Sequence, residues 1–118
     1  MEAEQLLFAY GSLRRGQPYH HLLGNSPFVR LTHSVAQYTL SDLGEYPALS
    51  CGGDTAITGE LYRVTEQTLL SLDRYEGREY HRQQIDLQDG TTAVGYVCEL
   101  PQAPRIASGD WVDHLNKR

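Results

Sequence analysis

Short apolar runs punctuated by glycine, proline and small polar residues dominate the hydrophobic pattern of this chain. The first run, Leu6-Leu7-Phe8-Ala9-Tyr10, has strand length and is closed by Gly11-Ser12, which predicts a buried β-strand ending in a turn. Pro18 to Gly24 predicts one helical turn terminated by Gly24. Phe28 to Leu40 is rich in Thr and Val and predicts extended structure with a bend near Thr32 to Ser34. Gly44 to Leu49 reads as a loop, and Cys51-Gly52-Gly53-Asp54 as a turn.

The pattern then changes period. Thr55 to Val64 alternates as a strand, with Gly59 inside it marking a bulge or a close approach by another group. Thr65 is a good N-cap, Glu66 is acidic in the first turn, and Gly77 is a stop, so a helix is expected over Glu66 to Glu76. Tyr80 to Gln88 and Thr91 to Leu100 read as two strands joined around Asp89-Gly90, a strong hairpin signal. Pro101 and Pro104 break regular structure, and the tail from Ala107 to Val112 is expected to pack Trp111 on the core. Strands outnumber helices and hairpins outnumber crossovers, which predicts an α+β fold with a curled, mostly antiparallel sheet and one main helix.

Composition narrows the function classes. With 118 residues, 40% hydrophobic and 21% charged, the chain reads as a single globular domain over 1–118, with enough core to need no metal or disulfide staple. A formal charge of −5 without a basic run argues against nucleic acid as a partner. Cys51 and Cys98 form no CxxC motif, and Cys98 beside Val97 reads as buried volume. The acidic start and the lack of a long apolar stretch predict no signal peptide, no membrane span and a cytoplasmic home.

The helix carries the most informative residue. Leu69, Leu72 and Glu76 are three and four apart, so at about 3.6 residues per turn they share one face. Two readings of Glu76 are open. In one the helix frays and Glu76 reaches water or pairs with Arg78 or Arg82. In the other it looks into a cavity where desolvation raises its pKa and makes it a general acid or base near neutral pH.

Eight tyrosines against two phenylalanines suggest walls that want hydroxyls, with Tyr62, Tyr75, Tyr80 and Tyr96 as candidates. Tyr80 and Arg82 share a strand face, where Arg82 either holds an acidic group or forms a surface ion pair. The turn after the first strand is either ordinary or a cradle of backbone N–H groups for an anion. The histidines lack metal-ligand spacing, Ser12 has no nucleophile-elbow context, and Gly11 and Gly16 fit no nucleotide fingerprint. No cofactor or metal is expected.

Four stretches in order resemble the gamma-glutamylcyclotransferase-like, or AIG2-like, family. They are Tyr10-Gly11-Ser12-Leu13, the Tyr-Pro loop from Gly44 to Ala48, Gly59-Glu60-Leu61-Tyr62, and Leu72-Asp73-Arg74-Tyr75-Glu76-Gly77 followed by Tyr80-His81-Arg82. The resemblance implies a small mixed β-barrel with a central cavity and an enzyme, an acyltransferase or lyase. It implies cyclisation of a gamma-glutamyl group to 5-oxoproline with release of an amine or amino acid, Glu76 serving as general acid/base. It implies that Tyr10, Gly11, Ser12 and Leu13 hold the substrate carboxylate; from the reading of the residues themselves, Tyr62, Tyr80, Arg82 and Tyr96 are expected on the substrate as well. The expected partner is a small gamma-glutamyl compound, with monomer and homodimer both open. Two other classes stand beside this reading: a metabolite-binding or regulatory protein that keeps the cavity without turnover, and an interaction domain with a filled core.

Overall fold

The computed structural model describes residues 3–118. Seven strands and two α-helices follow in the order β1 (Glu4–Ala9), a 3-10 turn (His20–Leu23), β2 (Phe28–His33), β3 (Tyr38–Asp42), β4 (Pro47–Cys51), β5 (Thr58–Thr65), α1 (Glu66–Glu76), β6 (His81–Asp86), β7 (Thr92–Val97) and α2 (Trp111–Asn116). The strands make one mixed sheet in the order β2-β5-β1-β7-β4-β3, with β6 branching from β7. Pairing is antiparallel except where β7 meets β1 and β4.

β1 is the central member. It runs antiparallel to β5 from Glu4 opposite Thr65 to Ala9 opposite Glu60, and its other edge touches β7. Leu7 and Ala9 join the cluster that holds Leu69, Leu72 and Tyr96, while Phe8 packs with Leu40, Leu49, Leu61 and Trp111. Apolar layers on both faces explain why the run reads as continuous rather than alternating.

The sheet is not a closed barrel, which corrects that expectation. Its outermost strands β2 and β3 do not pair with each other. A single bridge from Ser34 to Leu87 joins the end of β2 to the end of β6, so the sheet curls back at one corner without a continuous ladder. A second correction falls at Gly44 to Leu49. Pro47 opens β4 there, paired along β3 from Leu40–Leu49 to Asp42–Pro47. A proline is tolerated at the first residue of a strand, and burial of Ala48 and Leu49 overrides the local turn signal.

Several local signals hold. Thr65 caps α1 by accepting the Thr68 N–H at 3.2 Å, and Gly77 ends it at φ 77°. Gly59 is a close approach and not a bulge: a Cβ there would lie 2.5 Å from the Phe8 ring. Trp111 is buried as expected, but it begins a second helix capped by Asp110, which accepts the Asp113 N–H at 3.1 Å. Six residues are too few to show a period. Both cysteines are free thiols, and Cys98 is only partly buried. No helix among the described residues is long and apolar enough to cross a membrane.

Candidate active site

A cavity of about 270 Å³ opens where the end of β1, the start of β4 and the end of α1 converge. Its floor is the run from Phe8 to Leu13, and Glu76 and Tyr75 come to it from the helix. Tyr80 and Tyr96 form further wall, and Tyr19, Glu45, Tyr46 and Glu79 stand among its lining. An interaction domain with a filled core would lack such a space.

The floor takes its shape from one glycine. A Cβ on Gly11 would fall 2.5 Å from Pro47 Cγ, so the loop reaches its place only without a side chain there. The Gly11 carbonyl accepts the Arg14 N–H, and the Ser12 carbonyl accepts the Tyr19 N–H, each at 3.0 Å. Among the described residues, the N–H groups of Gly11, Ser12 and Leu13 have no acceptor. Three successive unpaired N–H donors beside a cavity are groups with the chemistry to bind an anion.

Glu76 faces the same space. The stripe that buries Leu69 and Leu72 completely carries it inward, and Gly77 lets the chain leave immediately afterwards. Its carboxyl makes no hydrogen bond or ion pair among the described residues, and burial raises its pKa from 4.5 to about 7. At neutral pH it is therefore poised to take a proton and to give one.

The tyrosines divide by what their hydroxyls touch. Tyr10 is buried; its hydroxyl donates to the Tyr96 carbonyl at 2.8 Å and accepts the Leu49 N–H at 3.3 Å. Tyr80 donates to the Pro47 carbonyl at 3.2 Å. Tyr96 donates to Asp73 Oδ1 at 2.7 Å, with the Leu69 carbonyl 3.1 Å away. These three give the cavity apolar ring surface while their polar ends bind protein. Ser12 Oγ and the Tyr75 hydroxyl, 3.2 Å apart, are a polar pair on its lining.

Two expected site residues lie elsewhere. Tyr62 is buried against Leu69, Leu72 and Val64, and its hydroxyl donates to Glu60 Oε1 at 2.7 Å. Arg82 binds Asp73 Oδ2 at 2.7 Å and Glu66 Oε2 at 2.9 Å, holding both carboxyls below their usual range. Neither lines the cavity. Strand alternation put Arg82 on a face shared with Tyr80, but the acidic residues of α1 claim it first. Among the described residues no set of His, Cys, Asp and Glu comes together as a metal site.

Sequence reasoning pointed to the Tyr-Pro loop that brings Glu45 to the cavity but missed Tyr19 and Glu79, which other loops bring there, and the buried pair of Arg14 and Glu60. Glu60 alone carried a signal, as a carboxylate set between Gly59 and Leu61 in β5.

Comparison with known proteins agrees with this architecture. The family described as gamma-glutamyl cyclotransferase, AIG2-like, matches residues 7–113. The gamma-glutamylcyclotransferase family protein YtfP of Escherichia coli is 39% identical over 111 residues, covering 91% of this chain and 96% of that protein. Its solution structure superposes with a TM-score of 0.69, over 92% of this chain and 97% of that one. The crystal structure of c4763 from uropathogenic E. coli shares the fold at TM-score 0.88 and 22% identity, covering 98% of each chain. Human gamma-glutamylaminecyclotransferase is 36% identical over 80 residues, 60% of this chain and 52% of that protein. By sequence match over most of its length, the chain belongs to the gamma-glutamylcyclotransferase, AIG2-like family.

Proposed function

We infer that the protein cyclises a gamma-glutamyl amide to 5-oxoproline and releases an amine. The observation that carries this reading is an unpartnered, mostly buried carboxyl with a pKa of about 7 lining the same cavity as three unpaired backbone N–H groups. The N–H groups of Gly11, Ser12 and Leu13 hold the substrate α-carboxylate. That places the α-amine and γ-carbonyl against each other within one bound molecule. Glu76 takes a proton from the α-ammonium, and the freed amine attacks the γ-carbonyl. The new C–N bond closes the ring, Glu76 gives its proton to the departing nitrogen and the old amide bond breaks. The ring nitrogen's remaining extra proton then passes through the regenerated Glu76 carboxylate to the freed amine, which leaves as an ammonium. The substrate supplies its own nucleophile, which suits a cavity lined by no histidine or cysteine.

The lining also bears on the leaving amine. Glu45 and Glu79 are exposed on it, and no Lys or Arg is present there. A leaving group with its own carboxylate is repelled, and one with a distal ammonium is drawn in by the carboxylates and the faces of Tyr19 and Tyr46. Gamma-glutamylamines are therefore the preferred class, in keeping with the name of the human relative.

The decisive measurement is 5-oxoproline release from a panel of gamma-glutamylamines and gamma-glutamyl amino acids. Turnover with a preference for amines lacking a carboxylate is expected. Absence of 5-oxoproline from every member overturns the reading.

A further inference from the structure

The donors of the loop are useful only if the loop holds one shape, and the fastening lies behind it, away from the cavity. Arg14 and Glu60 are 6% and 8% exposed, so two full charges sit almost out of water immediately beyond the loop. Arg14 Nε meets Glu60 Oε2 at 3.2 Å, and Arg14 Nη1 meets Asp110 Oδ1 at 2.9 Å. The other oxygen of Glu60 accepts the Arg15 N–H at 2.9 Å and the Tyr62 hydroxyl at 2.7 Å. Glu60 thereby ties the backbone after Leu13 to β5, and Arg14 ties the same stretch to the cap of α2. Neither residue lines the cavity.

A buried ion pair of this kind adds little stability over apolar residues, but it fixes one arrangement because every alternative leaves a charge unpaired. With the Gly11 and Ser12 carbonyls already engaged within the protein, the fixed arrangement leaves the N–H groups of residues 11 to 13 unpaired. We propose that Glu60 and Arg14 are positioning residues that set recognition of the substrate α-carboxylate by the loop from Tyr10 to Leu13. The proposal rests on the cyclisation reading above. It assigns carboxylate binding to preorganised backbone groups, with no Lys or Arg side chain on the cavity lining to hold that carboxylate.

The test compares two substrates that differ only in the α-carboxylate: a gamma-glutamylamine and the matching 4-aminobutyramide, which closes to 2-pyrrolidinone by the same ring formation. Wild type is expected to favour the glutamyl compound strongly. In Glu60→Gln that preference falls by about 10-fold or more, through KM rather than kcat, because binding and not proton transfer is lost. The midpoint of the pH–rate profile stays where Glu76 sets it. Arg14→Lys keeps the charge opposite Glu60 but cannot span both Glu60 and Asp110, so its loss is smaller. Equal loss with both substrates, or an unchanged preference in both variants, overturns the proposal.

A second measurement follows the amide resonances of Gly11, Ser12 and Leu13 while 5-oxoproline is added. Shifts at these amides in wild type are expected, with affinity weakened about 10-fold in Glu60→Gln and by less in Arg14→Lys. No shift there in wild type, or unaltered affinity in the variants, overturns the proposal. If wild type releases no 5-oxoproline from any compound, the cyclisation reading fails, and the titration still decides whether the fastening governs the loop.

Discussion

Ser12 Oγ and the Tyr75 hydroxyl lie 3.2 Å apart, joining the loop after the first strand to the residue that precedes Glu76. The elements they link are 63 residues apart in sequence. One hydrogen bond thus couples the group that would hold the substrate to the helix that carries the reacting carboxyl. A neutral hydrogen bond contributes about 1 kcal/mol. Tyr75→Phe should therefore lower kcat/KM roughly 5-fold with the fold unchanged, as read by steady-state kinetics beside circular dichroism.

Glu76→Gln keeps the shape of the side chain and removes its capacity to exchange a proton. Release of 5-oxoproline should fall by about 10²- to 10⁴-fold while a gamma-glutamyl compound still binds, measured by single turnover and by calorimetry. Retained turnover in this variant would remove Glu76 from the chemistry.

The pH dependence follows from the same carboxyl. Because the ionised form takes the proton, kcat/KM should rise with pH through a midpoint of about 7 and not 4.5. Stability should move the other way. The folded state keeps this proton up to about 7, and the unfolded state releases it near 4.5, so the native protein binds more protons between those values and loses stability as pH rises across them. Glu76→Gln should be more stable than wild type at pH 8, by up to about 3 kcal/mol, and indistinguishable at pH 4. Denaturant unfolding at both pH values checks the sign.

Gly11→Ala places a methyl where Pro47 stands, 2.5 Å from its Cγ. The proline ring is anchored at the start of β4 and has little freedom to yield. A loss of about 1–3 kcal/mol in stability is expected, together with a raised KM as the loop is pushed from its place. Thermal unfolding and steady-state kinetics report the two effects separately.

By itself the sequence determined those features whose cause is local. The apolar run before Tyr10, the Thr65 cap, the Gly77 stop and the three- and four-residue spacing of Leu69, Leu72 and Glu76 each follow from neighbours along the chain. They correctly set β1 and α1 and put Glu76 on the stripe of Leu69 and Leu72, while leaving open whether its carboxyl meets water, an arginine or a cavity. Tertiary structure decided everything that depends on which element meets which. β4 exists because β3 pairs with it, and the sheet stays open because β2 and β3 do not pair with each other. Arg82 is withdrawn from the site by Asp73 and Glu66 on the helix beside it. Tyr62 turns to Glu60, two residues earlier on the same strand. Local spacing sets the direction in which a side chain leaves its own element. Whether it meets a cavity, a counter-charge or another chain segment depends on residues far away in sequence, and only folding brings those together.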